Sequence, residues 1–355
     1  MAKQVAVIAG EDAAPEAMDA AVTLLERMAL GIDWVFPDVG LASKAKGLGL
    51  FPAAARAAID AADATYFGAT SGSSSAALFY LRWGKQTYAN VRPSRWTPGL
   101  RSPLRTPEGI ALVIVRENLE DAYLCLEGDL ADLEPMNLTS PTSGRQPHLL
   151  GEGVYAIKAI TRAGSEKVVR ATFELARRRK AAGRHPGKVT ASAKFNMLRR
   201  SDGLFIKVAR EVAGDFPDIG FETLIADDFA HRLVLKPHDF DVIVLPNLYG
   251  DILSDAAAVL VGGLGLAASG CYGDDYAYFE SAHGTAPDIA GKGIINPTAT
   301  LLSGAMLLEH LGLADAGRRL RASIDAVYAD GRALTPDQGG LASTRDFCDA
   351  VWAWL

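Results

Sequence analysis

Apolar and polar positions along the chain follow two alternating periods. Val5–Ala9 is an unbroken apolar run of strand length, and Pro15–Leu30 follows with Ala, Val, Leu and Met at helical spacing. The same pattern predicts strands at Asp33–Phe36, Ala64–Gly68, Ala111–Arg116, Gly153–Thr161, Lys188–Ala193, Gly220–Ala226 and Val242–Leu245. It predicts helices at Pro52–Ala62, Ser75–Trp83, Glu166–Ala181, Asp202–Ala213, Asp227–Leu235 and Leu248–Leu260. The last third reads as mostly helical, at Pro297–Leu311, Asp315–Tyr328 and Ser343–Trp354. A serine cluster ahead of the Ser75 helix is placed to cap it. Strands alternating with helices of these lengths predict an α/β fold. Two stretches break the rhythm. Ser94–Glu108 holds Pro98, Pro103 and Pro107, and Asp129–Gly153 is rich in Pro, Ser, Gly and Asn. The second, between strand patterns, predicts an irregular arm.

Composition narrows the classes. With 355 residues, 49% of them apolar, the chain is long enough for two domains or one large one, and its core excludes a disordered protein. A net charge of −6 argues against a nucleic-acid or anionic-membrane surface. No apolar run approaches the ~18 residues of a membrane span. The start shows no signal-peptide layout, so the cytoplasm is expected. Cys125, Cys271 and Cys348 are far apart and form no C-x-x-C, so neither a disulfide framework nor a structural zinc site is expected.

Candidate chemistry concentrates in Asn247-Leu-Tyr-Gly-Asp-Ile-Leu-Ser-Asp255, where an apolar strand gives way to a helix. Asp251 and Asp255 stand four residues apart, so both project from one face near the helix start. Two carboxylates there suit a hard divalent cation, Mg²⁺ or Mn²⁺; two solvent-facing acids favoured by the helix dipole are the plain alternative. Asp227 follows the apolar segment at Gly220–Ala226, as a ligand-binding group at a strand end or as a helix cap. Arg92, Arg95, Arg101, Arg105 and Arg116 gather in a short span. Arg116 ends a buried strand, which calls for an anionic partner, and the arginine fork suits carboxylates. Lys194 and Tyr123 are plausible proton-transfer groups if positive charge lowers their pKa values. Gly263-Leu-Gly-Leu-Ala-Ala268 follows a helix rather than a strand and reads as a turn. His283–Pro297 is a long loop with several Gly and Pro residues, the kind that often carries function.

These segments together resemble the β-decarboxylating dehydrogenases: isocitrate, homoisocitrate, 3-isopropylmalate and D-malate/tartrate dehydrogenases. Asn247–Asp255 resembles the family's N-[LI]-[YF]-G-D-I-L-S-D signature, and His283–Pro297 its H-G-[ST]-A-P-[DK]-x-A-G-x-x-x-x-N-P loop. Tyr88–Pro93, Val115–Asn118 and Thr335–Thr344 are also similar to family segments. The resemblance implies a two-domain isocitrate/isopropylmalate dehydrogenase-like α/β fold with a large mixed sheet, unlike a Rossmann fold. Residues 1–98 plus 250–355 would form the cofactor-binding domain. Residues 99–249 would form the dimerisation and substrate domain, with an arm near 129–165.

The resemblance also assigns roles. Asp251 and Asp255, with Asp227 of a neighbouring subunit, would hold Mg²⁺ or Mn²⁺. Lys194 would come from that neighbour and assist removal of the substrate hydroxyl proton, and Tyr123 would protonate C3 after carbon dioxide leaves. Arg92, Arg101 (or Arg105) and Arg116 would clamp a malate-type substrate. His283, Gly284, Thr285, Ala286, Asp288, Ile289, Asn296 and Asn196 would meet the cofactor. Asp288-Ile289 stands where NADP users tend to carry Lys-Tyr. An acid there bonds ribose hydroxyls and repels a 2′-phosphate, which predicts NAD. A homodimer with shared active sites, or a higher assembly, follows. The family's G-D-G-I-G-P-E appears here as Gly10-Glu-Asp-Ala-Ala-Pro-Glu16. Ala76 and Leu78 stand where isocitrate enzymes carry Ser and Asn, and Leu78-Phe79 resembles the apolar pair of isopropylmalate and D-malate enzymes, so a small or apolar C3 substituent is expected. Isocitrate or homoisocitrate as substrate, and a non-catalytic regulatory paralogue, are the alternatives.

Overall fold

The computed structural model describes residues 3–183 and 185–355; Met1 and Ala2, where the reading of the N-terminus begins, and Arg184 lie outside the described residues. Twelve strands form among them: β1 Lys3–Ile8, β2 Ile32–Val35, β3 Ala64–Phe67, β4 Ala89–Arg95, β5 Ala111–Glu117, β6 Glu127–Asp129, β7 Val154–Ala156, β8 Lys188–Ala193, β9 Gly220–Ile225, β10 Val242–Leu245, β11 Ala268–Tyr272 and β12 Ala277–Ser281. Ten of them join one mixed sheet in the order β2-β1-β3-β12-β11-β4-β5-β10-β8-β9. Its two ends are parallel, as expected of strands linked through helices. Its middle is antiparallel, because β11 runs against both β12 and β4, and β4 against β5.

The parallel strands are the ones that hydropathy finds. β3 and β10 are buried at every position, and β10 reads as an unbroken apolar run while Thr65 alone interrupts β3. The antiparallel centre escapes that reading. β11 is Ala-Ser-Gly-Cys-Tyr, almost without the branched side chains that mark strands. β4 contains Pro93 and extends through Ser94 and Arg95, which the proline-rich pattern assigns to a loop. Pro93 lies past the end of the β11 pairing, on an edge where proline is tolerated. Gly153–Thr161 is a strand only over β7, which pairs with β6 in a small hairpin; beyond it a single bridge joins Ala159 to Asp121. Short 3₁₀ turns at Leu130–Met136 and Pro147–Leu149 fill the span between β6 and β7, and the next helix begins at Arg162.

The two largest apolar clusters flank the sheet. Helices Ala14–Arg27, Thr298–His310 and Ala314–Asp330 pack on the half built from β1–β3, β11 and β12. Helices Arg162–Ala181 and Ser201–Ala213 pack on β5, β8 and β10. Among the described residues no helix is long and apolar enough to cross a membrane.

The Ser75 helix differs from expectation at both ends. It is α-helical over Ser75–Phe79 and then opens into a π turn at Tyr80–Gly84, a form frequent at functional sites. Its serines do not cap it through their side chains. Instead the Glu11 carboxylate accepts the N–H groups of Ser71 (2.9 Å), Ser73 (3.2 Å) and Ser74 (2.6 Å) and the hydroxyls of Thr70 and Ser71. Burial alone would raise its pKa, but these donors outweigh it and hold Glu11 well below the usual carboxylate range.

Glu117, at the end of β5, is buried, and its carboxyl is pushed up to about 7 by burial, although the N–H groups of Glu120 and Leu119 oppose this. A folded pKa above the unfolded one means that this group's stabilisation is complete below about pH 4.5 and is lost as pH rises through about 7. Glu117→Gln therefore gains on the parent chain by about 3 kcal/mol between pH 4.5 and 7.5. Urea unfolding at both pH values measures this; a constant difference would show that the carboxyl ionises freely.

Candidate active site

Arg116 is the penultimate residue of β5, with 2% of its surface exposed. Its register partner on β10 is Leu245, after which the chain turns at Pro246 into helix Asn247–Leu260. That turn lays the first helical residues directly over Arg116. Arg116 Nε donates to Asn247 Oδ1 at 2.8 Å, and Nη1 donates to Asp251 Oδ1. The helix can approach only because residue 250 is glycine: a Cβ there would lie 2.7 Å from the Cβ and Cγ of Arg116. Arg92 arrives from β4; its Nη1 donates to Ser254 Oγ at 2.8 Å and pairs with Asp251 at 3.2 Å and Asp255 at 3.5 Å. The Tyr123 hydroxyl donates to Asp251 Oδ2, and its ring lies 4.7 Å from the Arg116 guanidinium.

The charges at this cluster shift one another. Burial would raise the Asp251 carboxyl, but Arg116 and Arg92, with the Tyr123 hydroxyl, hold it below its ordinary value. Asp255 goes the other way: burial raises it beyond what Arg92 can offset, and Asp251 adds like-charge repulsion. Tyr123 is raised too, by burial and by its bond to Asp251, against the pull of Arg116. The expectation that positive charge lowers it is therefore corrected: its proton is held by a carboxylate acceptor.

A cavity of about 170 Å³ opens onto the cluster, lined by Leu78, Arg82, Arg92, Arg116, Tyr123, Asp251, Glu280 and His283. A larger cavity of about 330 Å³ lies elsewhere in the sheet, but its Arg95 and Arg321 are engaged by Asp325 and Glu309. The chemistry belongs to the smaller one. Arg82 and Glu280 are members that the sequence reading missed; Arg82 bonds the Tyr278 hydroxyl at 3.2 Å and faces Glu280 at 3.9 Å. A glutamate directly after the aromatic pair Tyr278-Phe279 was the available sequence signal.

Some expected members lie outside the cavity. Arg101 is exposed against Gly339, and neither it nor Arg105 lines the site. The β4–β5 connection falls at the far end of the hairpin from Arg116, about 17 Å away at strand rise. Phe79 turns away from its neighbour Leu78 and packs on Trp83 at 5.3 Å. Lys194 directly follows β8 and pairs with Asp227, which sits in the first turn of helix Ala226–Leu235 rather than capping it. Lys194 holds the Asp227 carboxyl below its ordinary value. The Asp227 side chain is 69% exposed. Asn196 is exposed in the turn that follows. Among the described residues no three His, Cys, Asp or Glu side chains gather as a metal set. The chain thus presents two groups, one at Asp251 and Asp255 and one at Lys194 and Asp227.

The His283–Pro297 loop is held from both termini. Glu16 accepts the N–H groups of Gly291 (2.5 Å) and Gly293 (2.6 Å), and Ala13 N donates to Thr285 O at 3.0 Å. Asp12 takes the left-handed φ of +54°, so the loop turns there without glycine. Ala286 is left-handed as well, and Gly284 and Asp288 are exposed, with Ile289 partly buried. Asn296 spends its amide on Asp337, Tyr328 and Thr298 N, so it shapes the loop from within. His283 Nδ1 meets Gly284 O at 2.7 Å; its Nε2 is buried without a partner.

Residues 4–351 match the model of the isocitrate/isopropylmalate dehydrogenase family. The chain belongs to this family. It is 37% identical over 353 residues to the 3-isopropylmalate dehydrogenase of Archaeoglobus fulgidus, covering 99% of each chain. It is 39% identical over 359 residues to the isocitrate/homoisocitrate dehydrogenase of Thermus thermophilus, covering 99% of this chain and 98% of that one. The isocitrate dehydrogenase structure of Methylococcus capsulatus superposes with a TM-score of 0.86 at 36% identity, over 99% of both chains. The fold is the family's large mixed sheet. Its members are decarboxylating dehydrogenases that use NAD and a divalent cation, Mg²⁺ or Mn²⁺.

Gly250→Ala forces helix Asn247–Leu260 off Arg116 and costs about 1–3 kcal/mol. Urea unfolding reads the loss; an unchanged midpoint would show that the helix has room to spare.

Proposed function

We propose that the chain oxidises and decarboxylates a (2R)-malate-type hydroxy acid whose C3 substituent is small or apolar, of the 3-isopropylmalate or D-malate/tartrate kind. The observation that carries this reading is a pair of orphaned donors. Arg92 Nε and Arg116 Nη2 are buried without hydrogen-bond partners, in two residues that line the cavity. Buried guanidinium N–H groups demand an acceptor, and a substrate carboxylate supplies two oxygens. Leu78 gives the cavity an apolar wall, while Arg82 is already engaged by Glu280 and Tyr278. A third substrate carboxylate would have to compete for Arg82, which favours a dicarboxylate.

The donor set fits a divalent cation in part. Asp251 and Asp255 offer hard oxygens from one helix face, and burial, with like charge from Asp251, keeps Asp255 raised. Two carboxylates are too few for a full shell, so substrate oxygens and Asp227 of a second copy would complete it. When bound, the cation acts as a Lewis acid at the substrate oxygens and NAD accepts the hydride. The chain's own residues do the rest. Arg92 and Arg116 orient the substrate, Lys194 takes part in removing its hydroxyl proton, and Tyr123 returns a proton to C3. The products are carbon dioxide, NADH and a 2-oxo acid with one carboxyl fewer. Residues 1–98 and 250–355 would carry the cofactor, and 99–249 the substrate and dimer contacts.

The homodimer rests on two supports. The Lys194 and Asp227 group stands apart from the cavity in one chain. Apolar side chains are also exposed on the arm (Leu149, Val154) and on helices Ala226–Leu235 and Asn247–Leu260 (Leu235, Ile252), where a second copy would cover them.

A panel of isocitrate, homoisocitrate, 3-isopropylmalate, D-malate and tartrate with Mn²⁺ and NAD⁺ tests the substrate by NADH absorbance. The highest kcat/KM is expected with a dicarboxylate; a tricarboxylate preference overturns the substrate reading, and no NADH from any acid overturns the activity. Mixing Tyr123→Phe and Lys194→Met chains tests the shared sites. Each hybrid dimer holds one intact site, so about half the parent activity per hybrid is expected. Hybrids as inactive as their parents would place Lys194 in its own chain's site.

A further inference from the structure

A buried ionic triad lies behind the site and touches none of the cavity lining directly. Asp121 and Asp202 are both 0% exposed. Lys158, from the segment after β7, reaches each of them, at 3.3 Å to Asp121 Oδ1 and 2.7 Å to Asp202 Oδ1. The angles fall outside hydrogen-bond geometry, so the contact is ionic. The same ammonium lies 4.5 Å from the centre of the Tyr249 ring.

Asp121 holds a backbone conformation that belongs almost wholly to glycine, with φ +72° and ψ −151°. A side chain persists there only when its surroundings over-determine it. Here they do. Asp121 N donates to Ala159 O at 2.8 Å, Oδ1 accepts Ala122 N at 2.8 Å and Oδ2 accepts Leu248 N at 3.1 Å. Tyr123 is two residues on, and Leu248 is the second residue of the helix that carries Asp251. On the other side, Asp202 Oδ2 accepts the backbone N–H of Lys194 at 2.7 Å. One cation therefore joins two acids, each of which holds the backbone at a different functional group.

We propose that Lys158 is a positioning residue that keeps the Tyr123 turn and the Lys194 strand end in fixed register through Asp121 and Asp202. The inference rests on the reading that Tyr123 serves the chain's own cavity and Lys194 that of a second copy. The triad is then the link between the half-site a chain keeps and the half-site it lends.

The test uses the full chain. Lys158→Met strands two buried acids and risks unfolding, so Lys158→Met/Asp202→Asn is made beside it, together with Lys158→Arg. Circular dichroism selects the folded variants. With the acid best oxidised in the panel, both methionine variants should lose about tenfold to hundredfold in kcat. KM should stay within about threefold, and Lys158→Arg should regain most of the rate. Lys158→Met is then added to one or the other chain of the Tyr123→Phe and Lys194→Met hybrids. Activity should fall in both placements. A fall in one placement only, or an unchanged kcat in folded variants, overturns the proposal. If the parent hybrids regain nothing, the shared-site reading fails while the kcat of the uniform variants still decides the role of Lys158. If no acid is oxidised, hydrogen exchange decides it: protection at Leu248 and Lys194 N–H should drop together, and independent behaviour overturns the link.

Discussion

A guanidinium that ends a central strand away from water has to meet a carboxylate, and in this chain Arg116 meets Asp251. Much of the local architecture follows from satisfying that pair. The helix after β10 must start immediately, residue 250 must lack a Cβ, and the acid must stand one turn into the helix. Arg92 then reaches the same carboxylate from the antiparallel neighbour β4, and Ser254 holds it there. Pairing two arginines with one aspartate leaves donors unspent, which is what an anionic substrate needs.

The mildly acidic chain as a whole says little about this cavity. Three arginines line it, while the surrounding acids are either engaged by them or raised by burial. The bulk charge bears on nucleic acid and membranes; the local field selects a small polyanion. The acids themselves fall into two separate groups. Asp251 and Asp255 share a helix face, whereas Asp227 answers Lys194 one strand beyond β10.

Much was legible in the residues. The parallel strands announced themselves as apolar runs, and the Asn247–Asp255 and His283–Pro297 segments marked the site because their spacing is local. Arg92, Arg116, Tyr123, Asp251 and His283 do come together at one cavity. The antiparallel centre was not legible, because β4 and β11 are held by pairing on both sides rather than by branched side chains. The place of Arg101 was hidden for another reason: distance along the chain does not show that a hairpin carries it to the opposite end of β5. The serine caps failed because Glu11, some 60 residues away, takes their donors.

The sequence by itself determined the α/β class, the family and the residue types of the site, since these depend on local periodicity and contiguous motifs. Only the tertiary structure decided which charges meet. It put Arg82 and Glu280 into the cavity, turned Phe79 away from Leu78, separated Asp227 from Asp251, and fixed Asp121 in a glycine's conformation by burying it against Lys158. Such pairings join strands far apart in the chain. The burial and geometry that settle their energies exist only once the sheet has formed.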